Sequence, residues 1–473
     1  MGKENFNKKT KIICTIGPSS SSKEVLLQLI NSGMDIARLN FSHGSYETHL
    51  KTIENIRAAS KELDIPVAIL QDLQGPKIRV GSLYHDVITL QKHQSVTLKY
   101  GQTQTDDEIP IDYEHLYNDV KKDSRVLMDD GKIELKITKI QKDKVICKVI
   151  HDGLLKSRKS VNFPDCKLSI PSLTQKDLAD VNFGLKHNID YLALSFVQSH
   201  KDIIELRKIL ESHAKNIPII SKIEMNAAIK NINKICKESD GIMIARGDMG
   251  VECGFSKIAF YQKLIINKCK KFHKPVIVAT QMLESMIFNS KPTSSEICDV
   301  ANAAFDSVDA TMLSAESASG NYPVKATSQM RNTLLSSEKE SYFSLSSLSD
   351  ILINSTNDLF AKIALSIAIK SQAKYIVCIT MTGEIAKIIS RFRAPIQVIA
   401  LCPDEKVLKH LKLYRGLSPI AYSPARNTGK AFSEIIKKLK ALKIINKSDV
   451  IVLTGGIPAE NKNPTNSIKI HKI

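Results

Sequence analysis

The feature that most constrains this chain is a regular alternation of short, nearly continuous apolar segments with amphipathic helical segments. Apolar runs without a polar face are typical of parallel strands that helices cover. Eight such strand–helix units predict an α/β fold with a closed (β/α)8 TIM barrel, whose active site lies at the carboxyl ends of the strands. The predicted strands are Lys11–Gly17, Asp35–Phe41, Val67–Leu73, Tyr191–Phe196, Pro218–Glu224, Gly241–Met249, Pro275–Gln281 and Ala310–Glu316.

Two interruptions of this alternation predict three domains. From about Gly75, short strands of alternating polarity are separated by Asp, Gly and Gln turns, which indicates a small all-β insertion that ends near Pro171. A segment rich in Ser, Glu and Lys places a second boundary near residue 340, and an open α/β sheet follows it. The predicted division is a barrel of residues 1–73 and 171–340, a β lid domain of residues 74–170 and a C-terminal regulatory domain of residues 341–473.

Composition excludes several classes of protein. With 43% hydrophobic and 25% charged residues, the chain has an ordinary globular composition, and it contains neither a signal peptide nor an 18-residue apolar span. Nine cysteines without a Cys-x-x-Cys motif indicate reduced thiols, so we expect a cytoplasmic location and no membrane partner. The net charge of +18 is spread along a chain without tryptophan or a helix-turn-helix, so we expect no nucleic-acid partner.

Two neighbouring strands of the predicted barrel end on charged residues. The fifth ends with Lys222 and Glu224, and the sixth ends with Arg246 and Asp248. Because residues two apart in a strand point to the same face, we expect each strand end to present a cation beside a carboxylate. Two carboxylates that share a divalent cation next to a lysine suit phosphoryl transfer, which needs positioning and countercharge. The alternative is a pair of structural salt bridges.

Polar residues also follow the other predicted strands. Because the carboxyl ends of barrel strands meet at one face, we expect these residues to line the same site. They are Arg38, Asn40, Asp72, Thr280 and Ser314.

The chain contains five specific sequence blocks: Thr10–Ser20, Gly33–Gly44, Ser221–Glu224, Ala245–Asp248 and Ala279–Met286. In these blocks the chain resembles the pyruvate kinase family, and the resemblance runs from Lys11 to the C-terminus. The similarity implies the three-domain architecture described above. It also implies the last step of glycolysis, transfer of a phosphoryl group from phosphoenolpyruvate to ADP, giving pyruvate and ATP.

The resemblance assigns roles to the predicted site. It implies that Glu224 and Asp248 hold Mg²⁺ or Mn²⁺, and that Lys222 and Arg38 contact the phosphoryl group. The backbone of Gly247 and Asp248 is expected to receive the substrate carboxylate. The protonation machinery implied at the enolate carbon is Thr280 with Ser314 and Glu316, and the implied nucleotide contacts are Asn40, His43, Arg79 and Lys159.

A monovalent-cation pocket is also implied by the resemblance, with Asn40, Ser42, Asp72 and the carbonyl of Leu73 as its ligands. Family members that need K⁺ carry a glutamate at the position of Lys77. We expect the ammonium of Lys77 to lie beside Asp72 and to replace the cation, so that K⁺ is dispensable.

Regulation is predicted at Thr380–Gly383, a loop before a helix. The residues of this loop fit an anion site and an ordinary helix cap equally well. Glu384 follows it and lies where a phosphate would approach, so activation by fructose 1,6-bisphosphate is disfavoured. The resemblance further implies a homotetramer.

Two other functions compete with this reading. One is another barrel enzyme that binds enolpyruvate on a metal, such as a lyase or mutase; the lid insertion and Arg79 disfavour it. The other is a catalytically idle regulatory or nucleic-acid-binding relative, which the complete set of charged site residues disfavours.

Overall fold

The structure is a computed structural model that describes residues 8–83, 85–102, 105, 107–339, 353, 355–423, 428–456 and 465–473. Within these ranges, every helix is too short or too polar to cross a lipid bilayer.

Eight parallel strands close into the predicted barrel, in the order β1-β16-β15-β14-β13-β12-β3-β2. Each observed strand lies within a predicted segment and is shorter than it at the carboxyl end. The difference is largest for β14, which stops at Ala245 because a helix begins at Arg246. The barrel strands are β1 (Lys11–Thr15), β2 (Ile36–Asn40), β3 (Ala68–Asp72), β12 (Tyr191–Leu194), β13 (Ile219–Ile223), β14 (Gly241–Ala245), β15 (Val276–Ala279) and β16 (Ala310–Leu313).

Helices surround the barrel, and side-chain caps fix where several of them begin. Ser22, Ser45, Thr174, Ser199 and Thr293 each accept a hydrogen bond from a backbone N–H of the following helix. The helices of this domain are α1 (Lys23–Asn31), α2 (Tyr46–Leu63), α4 (Gln175–Lys186), α5 (His200–Ser212), α6 (Asn226–Lys230), α7 (Ile232–Glu238), α8 (Arg246–Cys253), α9 (Ile258–Lys271), α10 (Ser294–Phe305), α11 (Ala315–Ala318) and α12 (Pro323–Lys339), with α3 (Leu116–Asp119) in the lid.

The core of the barrel has two layers. One apolar cluster fills the space between the strands and the helices, and a second fills the inside of the barrel. The inner cluster includes Leu70, Met243 and Met312 from the strands and Leu413 from the C-terminal domain. The C-terminal domain therefore closes the end of the barrel opposite the predicted active site.

The lid was predicted to be all β; it is mainly β but also contains the short helix α3. It has a six-stranded sheet in the order β11-β7-β8-β9-β5-β6 and a two-stranded ribbon β10-β4. The chains that enter and leave it are hydrogen-bonded to each other: Val80 N–H donates to the Lys159 carbonyl (2.8 Å) and Val161 N–H donates to the Ile78 carbonyl (3.0 Å). Its strands are β4 (Val87–Leu90), β5 (Ser95–Tyr100), β6 (Glu108–Ile111), β7 (Arg125–Met128), β8 (Ile133–Ile140), β9 (Val145–His151), β10 (Gly153–Lys156) and β11 (Val161–Asn162).

The C-terminal domain is an open sheet in the order β19-β18-β17-β20-β21, in which β21 is antiparallel and forms one edge. The boundary predicted near residue 340 falls outside the described residues. The elements are α13 (Thr356–Lys370), β17 (Tyr375–Ile379), α14 (Glu384–Arg391), β18 (Gln397–Cys402), α15 (Glu405–Leu411), β19 (Leu417–Ala421), α16 (Thr428–Ala441), β20 (Val450–Gly455) and β21 (Ser467–Lys472).

Candidate active site

Lys222 lies at the centre of the charged groups at the carboxyl ends of the barrel strands. Its ammonium is 3.0 Å from Glu224 Oε1, 3.2 Å from Asp72 Oδ1 and 2.7 Å from Ser195 Oγ, to which it donates a hydrogen bond. The predicted pairing of Lys222 with Glu224 is confirmed, since the two side chains leave the end of β13 together.

Arg38 extends this network from the end of β2. Its Nε donates to Asp72 Oδ2 at 2.7 Å, and its Nη1 donates to Thr15 Oγ1 at 2.9 Å. Asp72 is fully enclosed and bridges the two cations, which brings β2, β3 and β13 to one point.

Burial and charge act against each other in this network. Burial alone would lower the pKa of Lys222, but the carboxylates of Asp72 and Glu224 outweigh it and raise that pKa above its usual value. Burial raises the pKa of Asp72, but Lys222 and Arg38 reverse the shift and hold it below the usual range. Lys222 therefore stays charged beside an ionised Asp72 at neutral pH.

Glu224 has the features of a metal ligand. Its Oε2 accepts a hydrogen bond from Phe196 N–H (2.6 Å), and its buried Oε1 pairs with the Lys222 ammonium at 3.0 Å. Burial raises the pKa of Glu224, Lys222 lowers it and the nearby Asp248 carboxylate raises it again, with a net upward shift. Two carboxylates that repel each other fit a divalent cation.

The prediction that Arg246 lies beside Asp248 is wrong. The chain turns into α8 at Arg246, so the two residues lie in a helix, where residues two apart point to different sides. The Arg246 guanidinium is buried and donates to Asp299 Oδ2 (2.6 Å) and to the carbonyls of Thr280 and Gln281. It is a structural group that holds the loop after β15, while the Asp248 carboxylate stays partly exposed.

Thr280 has an unusual backbone. Its φ of +67° lies in the left-handed region, where a β-branched residue is strained, and the Arg246 contacts hold it there. The hydroxyl accepts a hydrogen bond from Gly247 N–H at 3.0 Å. The structure thus joins Thr280 to the first turn of α8, where the substrate carboxylate is expected.

Ser314 and Glu316 follow β16. Glu316 is buried and accepts hydrogen bonds from Ser314 N–H (2.6 Å) and Leu283 N–H (3.1 Å), and burial raises its pKa. Ser314 Oγ is buried without a hydrogen-bond partner among the described residues. Glu316 therefore fixes the turn that carries Ser314.

The residues predicted to contact nucleotide lie around the mouth of the barrel and on the lid. Asn40 Oδ1 accepts from Ser42 N–H (3.2 Å), and His43 is exposed in the same turn. On the lid, Arg79 Nη1 donates to the Arg158 carbonyl (3.1 Å), and Lys159 pairs with Asp129 at 2.6 Å.

Lys77 does not lie where it was predicted. Its ammonium is 3.9 Å from Asp248 Oδ1, whereas the two cations that pair with Asp72 are Arg38 and Lys222. The rigid Gly75-Pro76 turn carries the side chain away from Asp72. The carbonyl of Leu73, a predicted cation ligand, accepts a hydrogen bond from Ser195 Oγ at 2.7 Å.

The sequence reasoning missed two buried residues of this site. Ser195 follows β12 and joins Lys222 to Leu73, but a serine after a strand has no distinctive signal. Glu252 lies in the last turn of α8, where burial raises its pKa to about 7 although a hydrogen bond from Asn162 of the lid lowers it. The sequence signal for Glu252 was its spacing of four residues from Asp248, which is about one helical turn.

The regulatory loop is ordered by its own threonines. Thr380 Oγ1 accepts from Gly383 N–H (2.9 Å) and Thr382 Oγ1 accepts from Glu384 N–H (3.4 Å). Gly383 has a φ of +78°, which turns the chain into α14. The N-cap of α14 is Gly383, which makes no side-chain capping hydrogen bond, so the threonine hydroxyls order the loop before the helix.

Comparisons with known proteins agree along the chain. The pyruvate kinase barrel domain matches residues 7–327, and the pyruvate kinase alpha/beta domain matches residues 358–471. Two relatives named pyruvate kinase, from Staphylococcus epidermidis (strain ATCC 35984) and Staphylococcus aureus (strain MRSA252), are each 40% identical over 475 residues. Each alignment covers 98% of this chain and 80% of the relative.

A solved structure is also similar. The crystal structure of a pyruvate kinase from Cryptosporidium parvum has a TM-score of 0.94 at 36% sequence identity, and the match covers 100% of this chain and 97% of that one. The match therefore includes the barrel, the lid and the C-terminal sheet. On the strength of these matches, this chain belongs to the pyruvate kinase family.

Proposed function

We propose that this chain transfers the phosphoryl group of phosphoenolpyruvate to ADP, giving pyruvate and ATP, at the site around Lys222. The observation that carries the proposal is the enclosed ammonium of Lys222 between Asp72 and Glu224 at the carboxyl face of the barrel. An ammonium held there in its charged form stabilises the charge that develops on a transferring phosphoryl group. The adjacent guanidinium of Arg38 adds a second cation for the phosphate oxygens.

Glu224 and Asp248 are the residues that would hold the divalent cation, Mg²⁺ or Mn²⁺. When bound, the cation supplies positive charge to the oxygen atoms of the substrate. The repulsion between the Glu224 and Asp248 carboxylates and the partial exposure of Asp248 support this assignment.

The groups at the other side of the site suit the enolate. The backbone N–H groups of Gly247 and Asp248 open α8, and a helix N-terminus favours a carboxylate. We assign proton delivery at the enolate carbon to Thr280, whose hydroxyl lies 3.0 Å from Gly247 N, with Ser314 and Glu316 as the relay behind it.

The lid helps to bind the second substrate, ADP, and it excludes water from the site. We assign ADP contacts to Asn40 and His43 at the barrel mouth and to Arg79 and Lys159 on the lid. In the structure Lys159 pairs with Asp129, so it must exchange that partner for a phosphate when ADP binds. Closure over the site prevents transfer of the phosphoryl group to water.

We also propose that the chain is active without K⁺, although Lys77 lies next to Asp248 and not beside Asp72. Arg38 and Lys222 already place two cations on Asp72, and Lys77 adds a third positive charge next to Asp248. These positive charges stabilise the substrate phosphate. They also repel K⁺ from the predicted cation pocket, which is formed by Asn40, Ser42, Asp72 and the Leu73 carbonyl.

Assembly and location complete the proposal. An apolar groove on the C-terminal domain, lined by Leu359 and Ile363 of α13 and by Ile470 of the edge strand β21, supports a subunit interface within a homotetramer. Light scattering after size exclusion tests the proposed tetramer.

All nine cysteines are free, which supports the cytoplasm as the location. We include neither nucleic acid nor membrane among the partners.

The test is pyruvate formation from phosphoenolpyruvate with Mg²⁺, in the presence and absence of ADP. Pyruvate and ATP in equal amounts, formed only with ADP, support the proposal. A metal-dependent lyase or mutase would consume phosphoenolpyruvate without ADP, and an idle relative would consume none.

A further inference from the structure

Glu252 is a buried carboxyl group that the proposed reaction does not use. It is 4% exposed and lies one helical turn after Asp248, so both side chains project from the same side of α8. Its backbone carbonyl lies 3.5 Å from Asn226 Nδ2, in the helix that follows Glu224. The end of α8 is thereby tied to the segment that carries the other candidate metal ligand.

The lid reaches this end of α8 at two places. Asn162 of β11 donates from Nδ2 to Glu252 Oε1 at 2.7 Å. The turn at Gly131 lies over Val251, because a Cβ at Gly131 would be 3.7 Å from Val251 Cγ1. Glu252 is therefore hydrogen-bonded to one part of the lid, and the neighbouring Val251 faces a second part.

We propose that Asn162 and Glu252 form a latch that holds the lid closed over the site, and that Glu252 is a positioning residue for the nucleotide. The inference rests on the proposed phosphoryl transfer, because it gives lid closure the tasks of placing ADP and excluding water.

The position of Asn162 in the lid explains how the latch reaches the nucleotide. Lys159 lies three residues before Asn162 on the same strand segment, and Ser160 is bridged to Arg79 on the other hinge strand. When Asn162 is held against Glu252, Lys159 and Arg79 are held at fixed distances from α8. Release of the latch frees both cations together.

A single hydrogen bond suits a contact that must break in each turnover. While the lid is closed, the Glu252 oxygen is buried, so loss of its partner leaves it unsatisfied. When the lid opens, water replaces Asn162 as the hydrogen-bond donor to Glu252. The net difference in free energy between the closed and the open lid is therefore small. The latch therefore shifts the closing equilibrium without locking it.

The experiment compares Asn162→Ala, Glu252→Ala, the double variant and Glu252→Gln by steady-state kinetics. We expect each alanine variant to raise the KM for ADP and to lower the closed population by about 5- to 10-fold. It should also yield more pyruvate than ATP, because water enters the site. The double variant should match the single variants, and Glu252→Gln should retain wild-type behaviour, because its amide oxygen accepts the same hydrogen bond.

The matched control is Asp123→Asn, a carboxyl-to-amide change in the lid, where Asp123 pairs with the exposed Lys136. It should leave the KM for ADP and the ratio of pyruvate to ATP unchanged. Multiplicative effects in the double variant, or a wild-type product ratio in both alanine variants, would overturn the latch. If Glu252→Ala fails to fold, Asn162→Ala and Glu252→Gln still decide the question.

Small-angle X-ray scattering of the substrate-free protein separates this inference from the proposed reaction. The alanine variants should scatter as a more open molecule than the wild type and Glu252→Gln. Such a difference in a protein without transferase activity would support the latch and refute the proposed function. Identical scattering in an active enzyme would refute the latch alone.

Discussion

At the scale of single residues, the site depends on enclosed charges that compensate each other. Arg38 and Lys222 are two cations held on Asp72, and Glu224 balances Lys222 from the other side. Removal of one member takes a partner from a buried charge, which costs up to about 3–5 kcal/mol of stability. Tests at these residues must therefore measure folding as well as rate.

Replacement of Lys222 by methionine should remove catalysis while leaving the metal site. We expect kcat to fall by about 100- to 1,000-fold, because the ammonium is needed most as charge develops on the phosphoryl group. Steady-state kinetics, Mn²⁺ binding by electron paramagnetic resonance and thermal unfolding measure the three effects. Lys201→Met, on an exposed turn of α5, is the control. A Lys222→Met enzyme that retains a tenth of wild-type kcat contradicts the assignment.

Replacement of Lys77 by glutamate should create a requirement for K⁺. The change reverses the charge 3.9 Å from Asp248, so positive charge must come from the solvent instead. We expect the wild type to be active in buffer free of K⁺ and NH₄⁺ at constant ionic strength, and Lys77→Glu to be active only after K⁺ is added. A wild type that is inactive until K⁺ is added shows the proposal to be wrong.

At the scale of elements, the position at which the next helix begins decides which side chains project together from the end of a strand. Spacing predicted the Lys222–Glu224 pair because the extended backbone continues past β13. The same spacing failed at Arg246 because α8 begins there, and a helix turns alternate residues apart. The sequence around Gly247 has no capping side chain that would have marked this helix start.

The barrel strands and the resemblance were sufficient to predict the fold, because apolar periodicity is local information. The pairing of the short lid strands β6, β10 and β11 could not be predicted in this way, since it depends on partners that are distant in the sequence. The contacts of Ser195, Lys77 and Glu252 were missed or misplaced for the same reason. Each is set by the approach of two segments far apart in the chain.

Helix α14 should make the regulatory loop a poor phosphate site. Its first residue is Glu384, and the loop N–H groups of Gly383 and Glu384 already bond to Thr380 and Thr382. The carboxylate repels a phosphate at the point of entry. We expect fructose 1,6-bisphosphate at micromolar concentration to leave the phosphoenolpyruvate saturation curve unchanged. A leftward shift of that curve contradicts this expectation.

At the scale of the whole molecule, the two α/β domains are joined by buried charges at the base of the barrel. Asp309, just before β16, accepts hydrogen bonds from Val276 N–H (2.9 Å) and Arg415 N–H (3.1 Å), and it pairs with Arg393 at 2.5 Å. Arg415 also pairs with Glu338 at the end of α12. One carboxylate therefore connects two barrel strands with the C-terminal domain.

Replacement of Asp309 by alanine should uncouple the unfolding of the barrel from that of the C-terminal domain. We expect the free energy of unfolding to fall by about 3 kcal/mol, since Arg393 loses its carboxylate partner and the backbone N–H groups of Val276 and Arg415 lose their acceptor. Differential scanning calorimetry should then resolve separate transitions where the wild type shows one. Asp165→Ala, which removes a half-exposed ion pair with Arg125 in the lid, should change stability by about 1 kcal/mol or less. A single transition at the wild-type midpoint in Asp309→Ala would contradict the role of Asp309.

The paired strands at the base of the lid limit the directions in which it moves. A domain on two independent tethers could twist, slide and tilt. Here the tethers are bonded to each other, from Ile78 to Val161 and from Val80 to Lys159. Such a ribbon bends easily across its face but resists shear within its plane. The lid therefore has essentially one mechanical degree of freedom, and each closure returns its side chains along the same arc to the same place.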